Sequence, residues 1–242
     1  MRTPGFDEKK PGVGRGVLLL LAVLVTACGG DDEGGSPAET GPHRIVVLGS
    51  STAAGIGPSD PANTWVSRYR QHLVSECAHC ELENLAVGGY TTYQIQPDDY
   101  APPPNRPGPA AEHNITHALG LEPRSIVINL PSNDQFFGFT TAEQLENYER
   151  VAALAAERKV ALWVTTSQPR NFAQQSQLDA LFEARDAIAA RFGDRSIDFW
   201  TDLAAPDGSI LPELDSGDGI HLNDAAHAIL ADRVIAEDIP RK

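Results

Sequence analysis

From residue 44 onward, short apolar runs alternate with segments whose apolar residues recur every three or four positions. Residues 44–48 read Arg-Ile-Val-Val-Leu, a β-branched run that predicts a buried strand. Similar runs at 82–87, 125–130, 160–166 and 196–200 predict four more. Those at 125–130 and 160–166 are apolar almost throughout, as strands covered on both faces are. Between the runs, Trp65, Tyr69 and Leu73 place an amphipathic helix over 61–76, with Asp60 as its N-cap and Pro61 in its first turn. Thr141 with Gln144 reads as a capping box for a helix over 141–157, its inner face Leu145, Tyr148, Ala152 and Ala155. Leu178, Leu181, Ala184, Ile188 and Phe192 share one side of a helix over 173–192, which Gly193 is expected to end as a left-handed C-cap. Asn223 caps a last helix carrying Ile229, Leu230 and Val234. Alternation of this kind predicts an α/β fold, a three-layer α/β/α sandwich around a five-stranded parallel sheet. Such sheets bind ligands at the carboxyl ends of their strands. The proline-rich stretch 96–109 is expected to be a long loop over the site or its rim.

The first 42 residues have a different character. Arg2, Lys9, Lys10 and Arg15 precede an apolar run from Val17 to Val25, then Thr26-Ala27-Cys28. The run is too short for a stable membrane span and reads as a secretory signal, residues 1–27. Small residues directly before Cys28 resemble a bacterial lipobox, which implies cleavage there and a lipid on the Cys28 sulfur; an ordinary signal peptide or an uncleaved anchor are the alternatives. Residues 28–42, rich in Gly, Asp, Glu, Ser and Pro, then form a flexible tether to a domain over 43–242.

Charge narrows the partners. Without residues 1–27 the chain has 15 basic and 31 acidic residues, a formal charge of −16. That argues against nucleic acid or an anionic membrane surface, and leaves the lipid as the membrane link. Cys77 and Cys80 are the other cysteines; the pair closes a predicted helix, and a local structural disulfide fits an exported chain better than redox chemistry. Neither that pair nor His113 and His117, one helical turn apart, brings enough ligands for a metal site. The turn after the first predicted strand also lacks the glycine fingerprint and phosphate-binding lysine of a nucleotide or flavin module, so no cofactor is expected. Asn114-Ile115-Thr116 fits a glycosylation sequon, a pattern without consequence in a bacterial cell.

Chemistry-bearing residues collect where predicted strands end. Gly49-Ser50-Ser51 follows the first strand and Gly89 the second; Asn133 follows the third. Asp218-Gly219-Ile220-His221 directly precedes the last helix, at a spacing that lets the carboxylate hold the imidazole by Nδ1. Each cluster alone also reads as a helix-capping turn. Together they supply a nucleophile, oxyanion donors and a base with its orienting acid. Phe136, Phe137 and Phe139 either line an acyl pocket or seat their loop on the core. Arg170 and Asn171, after the fourth strand, either touch substrate at the rim or hold the loop.

With these residues in order, residues 44–239 resemble the SGNH hydrolase superfamily, the GDSL-like lipases and acylhydrolases. The resemblance implies a flavodoxin-like sheet and a serine hydrolase acting on esters or thioesters. It assigns Ser51, Asp218 and His221 to catalysis, and the N–H groups of Ser51 and Gly89 and the amide of Asn133 to the oxyanion. Two motif positions depart from the family: Ser50 replaces the usual aspartate beside the nucleophile, where its hydroxyl is expected to hold the turn locally, and Pro131 replaces a glycine. The expected substrate is a small-molecule or glycan ester. A non-catalytic binding lipoprotein on the same fold is the competing reading.

Overall fold

A computed structural model describes residues 42–242. The leader, Cys28 and the tether lie outside the described residues. The expected strands are all present: β1 (His43–Gly49), β2 (Cys80–Asn84), β3 (Ser125–Asn129), β4 (Ala161–Thr165) and β5 (Ser196–Ile197). They form one parallel sheet in the order β2-β1-β3-β4-β5. Two expected strands are trimmed. β2 begins earlier, at Cys80, and leaves the ladder after Asn84, although Leu85 and Val87 still donate N–H bonds to Val47 and Gly49 at 2.8 and 3.1 Å. β5 pairs over two residues only, because Asp198 turns the chain by accepting the N–H groups of Trp200 and Thr201.

Helices cover both faces: α1 (Ser51–Ala54), α2 (Trp65–Glu76), α3 (Ile115–Gly120), α4 (Asn133–Phe136), α5 (Thr141–Glu157), α6 (Gln175–Phe192) and α7 (Asp224–Ala236). Alternate strand residues feed two cores, as the two-residue period of a strand requires. Ile45, Val47, Val127 and Trp163 pack with Trp65, Tyr69 and Leu73 of α2 and Leu230 and Val234 of α7. Val46, Leu48, Ile126, Ile128 and Val164 pack with Tyr148 and Val151 of α5 and Ile188 of α6.

Several helix ends differ from expectation. The capping box of α5 is Thr140 with Glu143, one residue before the expected Thr141 and Gln144. Thr140 is extended and exposed while Thr141 is already helical and buried, so only Thr140 can turn its hydroxyl back to the first turn. Asp60 caps a 3-10 turn, Pro61–Asn63, and α2 starts after it with Thr64 as its cap. Gly193 does end α6, but at φ 50°, ψ −121°, outside the left-handed helical conformation, because the chain passes straight into a 3-10 turn, Gly193–Arg195. Cys77 and Cys80 are joined as a disulfide between α2 and β2. His113 precedes α3 instead of lying on it, with its Nδ1 2.9 Å from the Leu85 carbonyl, so it shares no helix face with His117. Asn114 of the sequon is fully buried, capping α3 and donating to Asp98.

Candidate active site

β1 and β3 are neighbours whose connections leave to opposite sides, and the site forms over this switch in strand order. Ser50 donates its N–H to the Asn129 carbonyl at 3.0 Å, and Ser51 is the first residue of α1, where its own N–H has no intrahelical acceptor. Gly49 cannot carry a side chain: a Cβ there would lie 2.8 Å from both Ala53 Cβ and the Asn129 carbonyl. The Ser50 hydroxyl, expected to hold this turn, is buried with no hydrogen-bond partner among the described residues. The backbone holds the turn instead, through the Ser50 N–H and through Ala54 N–H to the Ser50 carbonyl at 2.8 Å.

The chain leaving β2 turns beside Ser51. Tyr90 N–H meets the Val87 carbonyl at 3.3 Å, with Gly89 at φ +86° in the position of such a turn that favours glycine. A Cβ on Gly88 would stand 4.0 Å from Ser51 Cβ, which sets this turn against the serine. Two consecutive residues after β3 pin it. Asn133 Nδ2 donates to the Tyr90 carbonyl at 2.8 Å. Asp134, fully buried, accepts the Thr92 hydroxyl at 2.6 Å and the Thr92 N–H at 3.1 Å. Burial raises the Asp134 carboxyl to about 6, against the lowering effect of the Thr92 bonds.

Asp218 and His221 form the pair their spacing suggests. Asp218 Oδ2 lies 2.6 Å from His221 Nδ1, and Oδ1 accepts the N–H groups of Ile220 and His221, each at 2.8 Å. Partial burial opposes ionisation of Asp218, but these donors outweigh it and hold the carboxyl at about 2. An ionised carboxylate can only accept, so the contact requires a proton on Nδ1.

Sequence reasoning missed what brings the serine and histidine segments together. Gln168, buried after β4, accepts the Thr52 hydroxyl at 2.8 Å and donates to the Ile220 carbonyl at 3.5 Å. Thr52 follows Ser51, and Ile220 precedes His221, so one amide spans both segments. A second tie runs from Ser59 and Asn63 to the Asp224 carboxylate at the start of α7. At Gly57 the approach is so close that a Cβ would lie 2.2 Å from the Leu222 carbonyl.

The two rim candidates are occupied in the scaffold. Asn171 spends its amide on the Ile210 N–H at 2.8 Å and Asp215 at 3.1 Å, and its own N–H on the Gly219 carbonyl at 2.8 Å. It holds the loop that carries Asp218. Arg170 is 6 % exposed, with its guanidinium 4.5 and 4.8 Å from the ring centres of Phe136 and Phe172. Its Nη1 donates to Asn133 Oδ1 at 3.3 Å. Of the three clustered phenylalanines, Phe139 is buried while Phe136 and Phe137 are exposed. The latter two line a groove of about 640 Å³ with Gln174, Ser176, Gln177 and Glu183 of the α6 end. The 96–109 loop packs against α5, through Arg106 to Glu143 and Tyr100 to Arg150, and its Arg106 covers Phe139, one of the residues lining this groove.

The sheet order, with these four clusters gathered at one edge, is that of an SGNH-type hydrolase fold. Residues 47–229 match the GDSL-like Lipase/Acylhydrolase family, and the chain belongs to it: it is a carboxylic ester hydrolase. Solved structures agree on the fold. The psychrotrophic esterase EstA from Pseudoalteromonas, in a structure inhibited by monoethylphosphonate, superposes with a TM-score of 0.59 at 17 % identity, covering 81 % of this chain and 96 % of that one. A lipase/acylhydrolase from Enterococcus faecalis gives 0.60 at 18 %, covering 82 % and 96 %. A two-domain esterase, CEX, active on acetylated mannans, gives 0.53 at 17 %, covering 82 % of this chain and 49 % of that one. No curated protein matches the chain.

Proposed function

We propose that the protein hydrolyses esters through an acyl-serine intermediate on Ser51. Ser51 Oγ attacks the ester carbonyl as His221 Nε2 takes its proton, and Asp218 stabilises the imidazolium. The N–H groups of Ser51 and Gly89 and one N–H of Asn133 bind the oxyanion. His221 returns its proton to the departing alkoxide, then activates the water that releases the acid. The observation that carries this reading is the Asp218–His221 pair at 2.6 Å, tied through Gln168 to the residue after Ser51.

The substrate is an ester with a short acyl group and a polar alcohol part, such as an O-acetylated glycan. The groove at the end of α4, the helix that Asn133 opens, supports this, because it mixes two exposed phenyl rings with amide and hydroxyl side chains where a long-chain lipid would want an apolar tunnel. The activity of CEX on acetylated mannans points the same way. The enzyme acts at the bacterial cell envelope, held by a lipid on Cys28 after export; the Cys77–Cys80 disulfide suits that oxidising side. Hydrolysis of p-nitrophenyl acetate, butyrate and octanoate, beside an acetylated-glycan panel, tests the substrate: acetate should lead. Octanoate turned over fastest would reverse the assignment. Metabolic palmitate labelling of the wild type and of Cys28→Ala tests the anchor.

A further inference from the structure

A buried guanidinium next to an oxyanion-binding amide is unusual in a region with no carboxylate in contact with it. Among the described residues Arg170 forms no ion pair within 4 Å; its charge is accommodated by the faces of Phe136 and Phe172, by hydrogen bonds, and at longer range by the Asp218 carboxylate. Burying a cation costs free energy that its hydrogen bonds and nearby charges must offset, so the groups it meets matter. The group it meets is the side-chain carbonyl of Asn133, at 3.3 Å, and beyond it the Ser132 hydroxyl at 3.5 Å.

We propose that Arg170 is a positioning residue that sets and polarises the oxyanion-binding amide of Asn133. This rests on the acyl-serine reading above. An asparagine amide has two orientations of nearly equal shape, and only one presents N–H to a substrate oxygen. Here both ends are determined. Nδ2 donates to the Tyr90 carbonyl at 2.8 Å, and Oδ1 accepts from Arg170. Rotating the amide by half a turn would face oxygen to a carbonyl and NH₂ to a guanidinium, two repulsive contacts. The Tyr90 bond consumes one Nδ2 hydrogen and leaves the second for the oxyanion. A cation on Oδ1 also draws electron density from the amide nitrogen, so the remaining N–H becomes a stronger donor as negative charge develops. Tyr90 directly follows Gly89, so the same contacts fix the spacing between two oxyanion donors.

Because Arg170 acts through Asn133, its effect must disappear when Asn133 is gone. The test is a double-mutant cycle on p-nitrophenyl acetate, with Ser51→Ala as the blank. Arg170→Met should lower kcat about 10- to 100-fold with KM changed less than threefold, a fraction of the ~10²–10³ that one oxyanion donor is worth. In the Asn133→Ala background the same change should cost less than twofold. Arg170→Gln, which keeps a donor without charge, and Arg170→Lys, which keeps the charge without the planar fork, should fall between and remain folded by circular dichroism if methionine does not. Equal losses with and without Asn133, in whichever variants fold, would overturn the proposal, as would an unaltered kcat. A wild type without Ser51-dependent turnover of any ester removes the catalytic reading itself, a result visible before any Arg170 variant is made.

Discussion

Replacing Gln168 by leucine would cut the connection between the serine and histidine segments while keeping the side-chain volume close. Two bonds are lost, and they differ in weight. The Thr52 hydroxyl, 1 % exposed, loses its acceptor at 2.8 Å. An unsatisfied buried hydroxyl costs about 1–3 kcal/mol. The contact to the Ile220 carbonyl at 3.5 Å is at the limit of a hydrogen bond and adds little energy, but it is the contact that reaches the His221 segment. Catalysis should therefore suffer more than stability. A displacement of about 1 Å between reacting groups lowers turnover by ~10²-fold, so kcat should fall about 10- to 100-fold, with KM little changed. Urea denaturation and steady-state kinetics on p-nitrophenyl acetate measure the two effects. Adding Thr52→Val separates them, since apolar groups on both sides of that contact leave no buried hydroxyl unsatisfied while the Ile220 contact stays lost. The double variant should recover most of the lost stability and none of the lost turnover. If activity returned together with stability, Gln168 would be a packing residue, and its proposed role in spacing the site would be wrong.

Two further outcomes follow from local geometry. Gly89→Ala and Gly88→Ala should differ sharply in turnover. Gly89 has open space for a Cβ but sits at φ +86°, which costs an L-residue roughly 1–2 kcal/mol and turns its N–H aside, whereas a Cβ on Gly88 need only displace the flexible end of Ile56. Equal, mild effects in steady-state assays would remove Gly89 from the oxyanion site. His227, fully buried beneath the start of α2, accepts the Trp65 N–H at Nδ1, and burial lowers its pKa from 6.5 to about 4. The unfolded chain therefore binds this proton first, and stability from this group is lost as pH falls from about 6.5 to about 4, by ~3 kcal/mol in all. Asp134 works oppositely: its carboxyl is raised from 3.8 to about 6, so the folded state binds the proton first and gains as pH falls through that window. The two nearly offset in the wild type. Stability of His227→Gln relative to wild type, from urea curves at pH 7 and pH 4, should rise toward acid by ~3 kcal/mol; a pH-independent difference would mean that His227 is not held neutral.

The parts of the fold written in local periodicity were legible. Apolar runs located β1, β3 and β4 closely and β2 and β5 only roughly, and the Trp65, Tyr69, Leu73 stripe located α2, because burial on two faces or on one leaves a period in the sequence. The α5 cap was legible to within a residue, since Thr140 and Thr141 offer the same chemistry and only backbone geometry decides which turns back; the α2 cap was not, because Asp60 caps the 3-10 turn ahead of the helix and Thr64 the helix itself. The Asp218–His221 pair was legible since both members lie in one turn. Gln168 was not. Its partners Thr52 and Ile220 are 116 and 52 residues away, and a glutamine after a strand carries no periodic signal. The sequence leaves open whether Arg170 and Asn171 touch substrate or hold their loop for the same reason: their position after β4 is readable, but the direction in which each side chain points depends on Asn133, Asp215 and Gly219 arriving from other segments. Ser50 shows the reverse error. Local chemistry suggested that its hydroxyl would hold the turn, yet the turn is secured by backbone bonds and the hydroxyl is left over.

Covalent labelling with a fluorophosphonate, followed by peptide mass spectrometry, tests the central claim most directly, because it asks whether a phosphorus electrophile finds an activated hydroxyl at Ser51. The account predicts a single adduct on Ser51 in the wild type, coincident loss of p-nitrophenyl acetate hydrolysis, and neither adduct nor turnover in Ser51→Ala. An adduct on another serine, or undiminished turnover by Ser51→Ala, would contradict it.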